Sequence, residues 1–363
     1  MKKLKLVLPI AGVGRRLQPF TFSKPKAFLK LAGKTIIDHA MDMLKDAFEK
    51  DTEILFIVGY KKEMIINHIT DNYSDYFKLM FIEQKPRNII NDVPIFPGLG
   101  HAIYLARESG FLTADNDYGM MVFLSDRLPI DGFCGLHEKF QMDDFQGIIN
   151  VSIVDHPEHY GVIKLNDEKV ITKLVEKPKE FISNMVISGI YMFDKDATNE
   201  ILNRLEEDVK KPIKDDKEYQ FTPAIQHLVD KNFRLSVYQM ENPILDIGRP
   251  KSFLMGNKFF LEKSNFNMDL YKVENAHVIQ PSFIGKNVVI NHSIVGPFVS
   301  VGDNAEIMNT IIQNSVIADN SSLNKVITSD SIIGEDCHLE DIIKDKITVG
   351  DRSVISTRKN SDL

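Results

Sequence analysis

Apolar and polar positions divide the chain into three stretches. In the first, short apolar runs alternate with amphipathic segments. Leu4 to Ile10 is a run of seven interrupted by Lys5 and reads as a buried strand. Thr35 to Phe48 carries Ile36, Ile37, His39, Ala40, Met43, Leu44 and Ala47 at helical spacing. Glu53 to Val58 is a continuous apolar strand closed by Gly59, Lys61 to Ile69 an amphipathic helix, and Leu79 to Glu83 a third strand. This alternation implies parallel β-α-β units with helices on both faces of a sheet. Residues 85–100 hold three prolines and two glycines and read as a long, functional loop. His101 to Glu108 follows as a helix, and Met120 to Leu124 as an apolar strand ending in Ser125-Asp126-Arg127. In open α/β sheets ligands bind beyond the carboxyl ends of strands. The turn at Gly12 and the carboxylate of Asp126 both lie at such ends.

The second stretch is richer in strands. Gly147 to Val154, Gly161 to Leu165, Lys169 to Glu176 and Val186 to Phe193 are β-rich, punctuated by Tyr160-Gly161 and Glu176-Lys177-Pro178. Helices are predicted at Ala197–Leu205, Thr222–Asp230 and Pro250–Leu261, with a strand at Leu235–Met240 and a turn at Asp246-Ile247-Gly248. The third stretch is repetitive. Phe283, Val289, Val295, Val301 and Ile307 lie six apart, and the register then slips by four to Ile311. It resumes through Ile317 and Leu323, slips to Ile327, runs through Ile333 and Leu339, and slips once more to Ile343, Val349 and Ile355. Such spacing marks a parallel β-helix whose apolar positions stack inward as packing.

Composition narrows the chemistry. The 363 residues suffice for two domains, and 43% hydrophobic with 26% charged content is globular. A formal net charge of −7 argues against a general nucleic-acid binder but not against a small phosphorylated substrate. The two cysteines, Cys134 and Cys337, offer neither a disulfide framework nor zinc spacing and read as reduced thiols. No signal peptide or membrane span is expected, and the protein is expected to be cytoplasmic.

The first strand empties into Gly12-Val13-Gly14, followed by Arg15, Arg16, Pro19, Thr21 and Lys24-Pro25-Lys26. Glycines let backbone N–H groups approach a phosphate, and the cations neutralise it. Two common motifs fail: Leu17 replaces the third glycine of a dinucleotide fingerprint, and Phe28 the first glycine of a P-loop before Gly33-Lys34-Thr35.

With these residues in place the chain resembles the sugar-1-phosphate nucleotidyltransferases over residues 4–262. The family signature G-x-G-T-R-x-x-P-x-T with a following P-K is matched by Gly12 to Thr21 and Pro25-Lys26. Gln84, Gly98-Leu99-Gly100-His101-Ala102, Glu176-Lys177-Pro178 and Asp246-Ile247-Gly248 follow in the expected order. The resemblance implies a Rossmann-like (GT-A-like) mixed α/β sheet with helices on both faces, residues 1–262. It also implies a C-terminal parallel left-handed β-helix, residues 263–363.

The implied reaction joins a nucleoside triphosphate, dTTP or UTP, to a sugar 1-phosphate, most simply glucose 1-phosphate. A guanylyltransferase acting on mannose 1-phosphate and a non-catalytic relative are the alternatives. In the family's roles, Arg16 and Lys26 are catalytic, and Ala11, Gly12, Gly14, Arg15, Gln84 and Gly98 bind the nucleotide. Tyr160, Gly161, Glu176 and Lys177 hold the sugar phosphate, and Asp126 and Asp246 are ligands for Mg2+. Lys24 is expected to be solvated, His39 a core residue and His101 structural. Arg15 and Arg127 depart from the family pattern, which has Thr and Asn there. Homo-oligomerisation through the β-helix is expected. Acetyl transfer by the tail is not, since none of His277, His292 and His338 stands out as a base.

Overall fold

Leu6 and Val7 point to opposite faces of one strand, yet both are fully buried. A strand with that pattern must be covered on both sides. The computed structural model describes residues 2–91, 93–113, 117–212, 217–242, 244–264 and 272–357. The chain divides into two units, Met1–Val13 with Ala40–Leu245, and Gly14–His39 with Asp246–Leu363.

The first unit is built on a nine-stranded sheet. Its main order is Ile171–Glu176, Gly161–Leu165, Met185–Phe193, Gly119–Phe123, Leu4–Ile10, Glu53–Val58, Lys78–Glu83. The last four run parallel, and Met185–Phe193 enters antiparallel, so the sheet is mixed. Gly147–Ile153 branches from Met185–Phe193 and pairs in parallel with Leu235–Gln239. On one face Val7, Leu55, Ile57, Met120 and Val122 share a core with side chains of the helices Leu99–Glu108, Lys195–Val209 and Thr222–Asp230. Leu8, Phe56, Met121 and Phe123 alternate with them and are equally buried.

Two local expectations change. Residues 85–100 are not one loop, because Asn88–Ile90 and Val93–Ile95 form an antiparallel hairpin. Its strands are too short to show a pattern, and Ile89 and Ile90 point into solvent. The helix Cys134–Met142 was not expected, since only Leu136 and Phe140 are buried along it.

In the second unit the C-terminal strands stack in parallel as a β-helix. Val289, Glu306, Ser322, His338 and Val354 are successive rung partners, so the period is seventeen residues once and sixteen thereafter. The inward positions correct the predicted register. Val289, Ile311, Ile327 and Ile343 are exposed, whereas Ile290 and Ile312 are fully buried; the predicted Val295, Val301, Ile307, Ile317, Leu323, Ile333, Leu339 and Val349 do point inward. Each sixteen-residue coil advances by five, five and six, as in Ile307, Ile312, Ile317 and Leu323, rather than by six, six and four. The corners explain the steps. Asn287, Asn304, Asn320 and Asp336 all take φ between 55° and 59°, where Asn and Asp pay little steric penalty. Their side chains also hydrogen-bond rung to rung at 3.1 Å. The expected domain boundary at 262/263 adjoins residues 265–271, which lie outside the described residues.

Candidate active site

The signature loop belongs to the second unit. It is three single 3-10 turns, Arg15–Leu17, Phe20–Phe22 and Lys26–Phe28, with no run of regular structure. Leu17 and Phe20 are buried and turn Arg15 and Arg16 outward. Gly14 sits at φ 71°, and a Cβ there would lie 2.9 Å from Cβ of Lys26 and 3.2 Å from Cγ2 of Thr21. Glycine is therefore required sterically as well as conformationally, and its absence of side chain lets Lys26 close over the turn. Gly12, by contrast, faces open space.

Arg16 and Asp246 converge on one point. A Cβ on Gly248 would lie 2.8 Å from Oδ1 of Asp246 and 2.9 Å from Nη2 of Arg16. The bare backbone of Gly248 thus lets a guanidinium and a carboxylate approach each other. Lys24 is not solvated as expected. It is 8% exposed, and its Nζ pairs with Glu335 and, at 3.3 Å, with Asp351. Acids more than three hundred positions away have no local signal. His39 is half-buried rather than in the core as expected, with Nε2 2.8 Å from the carbonyl of Leu31 and its ring stacked on Phe260 at 3.8 Å.

Two clusters lie in the first unit. In one, Gln84 is 3% exposed and its amide donates to the Gly98 carbonyl at 2.9 Å. The same nitrogen lies 3.3 Å from Nδ1 of His101, which fixes the His101 proton on Nε2. Burial holds the His101 pKa below its usual value, against a weaker opposing pull from Glu108, so the ring is neutral at pH 7. Gly98 has φ 105°, and a Cβ would strike Cβ of Glu218 at 2.7 Å and the Tyr219 carbonyl at 2.8 Å. Tyr219 in turn accepts from the Gly100 amide at 2.7 Å and donates to Pro97 at 2.8 Å. Beside the first strand, the Ala11 carbonyl accepts from the Tyr60 amide at 3.0 Å.

In the other cluster Gly161 pairs directly with Glu176 across the sheet. Glu176 Oε2 accepts from the Thr222 hydroxyl at 2.7 Å, and its Oε1 lies 3.3 Å from Lys177 Nζ. A Cβ on Gly161 would sit 3.2 Å from both Glu176 Oε2 and Thr222 Oγ1. Lys177 takes φ 44°, uncommon for a non-glycine residue, and its amide donates to Tyr160 at 2.9 Å. The guanidinium of Arg127 lies over the Tyr160 ring, 5.8 Å from its centroid. Beneath, burial pushes the Tyr191 hydroxyl's pKa upward, with Glu176 adding and Arg127 opposing, so it stays protonated. Asp126 occupies the turn after Gly119–Phe123, closed by the Arg127 amide donating to Leu124 at 2.9 Å.

Sequence reasoning missed Tyr219 and Thr222. Residues 219–222 link the two clusters, holding Gly98 and Gly100 with one end and Glu176 with the other. Thr222 had read only as the start of a helix. Thr222→Val keeps the shape but removes a hydrogen bond to a carboxylate. It is expected to cost about 1.5–3 kcal/mol of stability, read as a lower thermal midpoint.

Among the described residues no three His, Cys, Asp or Glu side chains gather closely enough to hold a metal ion. Mg2+, which takes one or two carboxylates and completes its shell with substrate phosphates and water, needs no such cluster.

The nucleotidyl transferase family profile matches residues 5–263. The chain is 28% identical over 334 residues to the low-salt glycan biosynthesis nucleotidyltransferase Agl11 of Haloferax volcanii, covering 86% of this chain and 87% of that protein. It is 30% identical over 250 residues to the UTP–glucose-1-phosphate uridylyltransferase AglF of the same organism, covering 68% and 93%. The bifunctional protein GlmU of Methanocaldococcus jannaschii is 31% identical over 281 residues, 77% of this chain but only 59% of that protein. Among solved structures, a UDP-glucose pyrophosphorylase complexed with UDP-glucose superposes with TM-score 0.57 at 22% identity, over 73% of this chain and all of that one. At this identity the likeness shows the fold.

Proposed function

Because the chain belongs to the nucleotidyl transferase family, we propose that it transfers a nucleoside monophosphate from an NTP to a sugar 1-phosphate. An oxygen of the sugar phosphate attacks the α-phosphorus, the bond between α-phosphorus and bridging oxygen breaks, and pyrophosphate leaves with that oxygen. Two polyanions must meet, so neutralisation and positioning carry the rate rather than a protein nucleophile.

The observation that carries this reading is the pair of glycine-enforced approaches in the loop unit, Lys26 over Gly14, and Arg16 with Asp246 at Gly248. Lys26 serves the α-phosphate, Arg16 the α- and β-phosphates and the departing pyrophosphate. The backbone at Ala11, Gly12 and Gly14, with the exposed Arg15, receives the triphosphate. Gln84 and Gly98 face the base. Tyr160, Gly161, Glu176 and Lys177 take the sugar phosphate, Glu176 accepting from sugar hydroxyls and Lys177 neutralising the phosphate. Asp126 and Asp246 would hold Mg2+, which when bound neutralises phosphate charge. Residues 1–262 carry this chemistry and 263–363 the β-helix.

The likeness to AglF favours UTP and glucose 1-phosphate, with dTTP the nearest competitor. The reaction draws on cytoplasmic nucleotides, and among the described residues no helix is long and apolar enough to cross a membrane. The deciding experiment measures pyrophosphate release with each NTP against a set of sugar 1-phosphates, with and without Mg2+. Absence of Mg2+-dependent turnover with every pair, from folded protein, overturns the reading.

The same proposal includes a homo-oligomer. Ile294, Ile311, Ile327 and Ile343 are rung partners, all exposed, and form an outward apolar column on the β-helix. An identical column on a second copy repeats at the same rung spacing and is a matching surface. Ile327→Asp is expected to lower the mass seen by sedimentation to that of a smaller assembly. An unchanged mass, or a wild-type monomer, rejects this surface.

A further inference from the structure

Beyond its buried anchors, such as Leu17 and Phe20, the loop that carries Arg16 and Lys26 has little to hold its shape. Its backbone hydrogen bonds are local, such as Leu17 to Gly14, Phe22 to Pro19 and Leu29 to Lys26. Isolated 3-10 turns are weakly self-supporting. Something outside residues 14–29 must hold the two cations in place.

The β-helix supplies it, within the same unit. Asp303, Asp319, Glu335 and Asp351 recur at sixteen-residue intervals, each just after Gly302, Ala318, Gly334 or Gly350. The preceding residues Val301, Ile317, Ile333 and Val349 are rung partners, so the acids form a column with one per rung. The loop's cations match that column. Lys30 Nζ lies 2.5 Å from Asp319, while Lys24 Nζ pairs with Glu335 and Asp351. The Ser23 hydroxyl also donates to Asp351. Pro19 packs on Gly350, where a Cβ would come within 2.8 Å of it.

The column itself is rigid. Asp351 Oδ1 accepts from the Glu335 amide at 2.8 Å and Asp319 Oδ1 from the Asp303 amide at 3.0 Å. Just past the loop, Asn257 Oδ1 accepts from the Ala32 amide at 2.9 Å and from Ser300 at 2.7 Å, a second tie to the β-helix.

We propose that this acidic column positions the phosphate-gripping loop, with Lys24 as the positioning residue through which it acts on Arg16 and Lys26. The proposal rests on the loop's role as the triphosphate grip, and it assigns the β-helix a part in nucleotide binding. Removing Lys24 breaks its ion pairs to two rungs at once, leaves the Ser23 bond to Asp351 and Lys30 on Asp319, and does not touch the rung-to-rung bonds of the column.

The test compares full-length Lys24→Met, Lys24→Arg and Glu335→Gln with wild type by amide hydrogen exchange and steady-state kinetics. In Lys24→Met and Glu335→Gln, exchange within residues 14–29 is expected to quicken while residues 289–349 keep their protection. KM for the NTP is expected to rise about tenfold, roughly the loss of one charge-assisted bond. KM for the sugar phosphate stays unchanged, and Lys24→Arg restores both readouts. Unchanged loop exchange and nucleotide KM in both variants overturn the proposal, as does an equal loss across both substrates. Exchange is read without substrate, so a wild-type protein inactive with every NTP refutes the proposed activity while the positioning claim is still decided.

Discussion

Lys26→Ala is expected to lower kcat about 10²–10³-fold, measured as pyrophosphate release at saturating NTP and sugar phosphate, with the thermal midpoint unchanged. The size of the effect follows from where charge moves. Lys26 is assigned to the α-phosphate, whose oxygens reorganise most between ground and transition state. The fold should survive because alanine retains the Cβ that lies against Gly14. The buried anchors of the loop, Leu17 and Phe20, are also untouched. Lys26→Arg should recover only part of the rate, since a planar fork does not reproduce a compact point charge. A kcat within threefold of wild type for the alanine variant would remove Lys26 from the catalytic set.

Gly248→Ala is expected to lower kcat/KM about 10²-fold with little change in stability. The added methyl would stand 2.8 Å from Oδ1 of Asp246 and 2.9 Å from Nη2 of Arg16. Both side chains must retreat, so one substitution displaces together the cation proposed for pyrophosphate and the carboxylate proposed for Mg2+. The backbone at Gly248 is not left-handed, so no conformational strain accompanies the methyl. The metal readout separates this from a simple loss of Arg16. The Mg2+ concentration for half-maximal rate should rise in Gly248→Ala and stay near wild type in Arg16→Ala. Equal Mg2+ requirements in the two variants would argue against Asp246 as a ligand.

Residues 6–8, 54–58 and 120–123 were legible within strands because apolar runs buried on both faces have few other uses. The signature loop was legible through glycines whose necessity the geometry explains, at Gly14 by a left-handed φ and close packing. The repeat was legible in kind and, along most of its inward positions, in register, but the slips were misplaced. Its outward positions Ile311 and Ile327 are as apolar as the inward ones, so hydrophobicity alone placed the slip one residue early. The asparagines at 287, 304 and 320 mark the corners and were the better guide. Thr222 stayed hidden because a helix-opening threonine looks ordinary, and only the fold sets it against Glu176. Lys24 stayed hidden for the opposite reason, since a lysine two positions from Lys26 looks solvated until a distant acid arrives.

That distance has a consequence in time. Lys24 meets Asp351, so residues 14–39 leave the ribosome and wait for a coil more than three hundred positions later before their contacts exist. At ordinary elongation rates of about 5–20 residues per second the interval is tens of seconds. During it the sheet of the first unit has its own strands available, but the nucleotide loop has no rung to rest on. A nascent chain is therefore expected to acquire its fold before its grip on triphosphate, and a ribosome stalled ahead of residue 335 should hold a folded but nucleotide-blind enzyme.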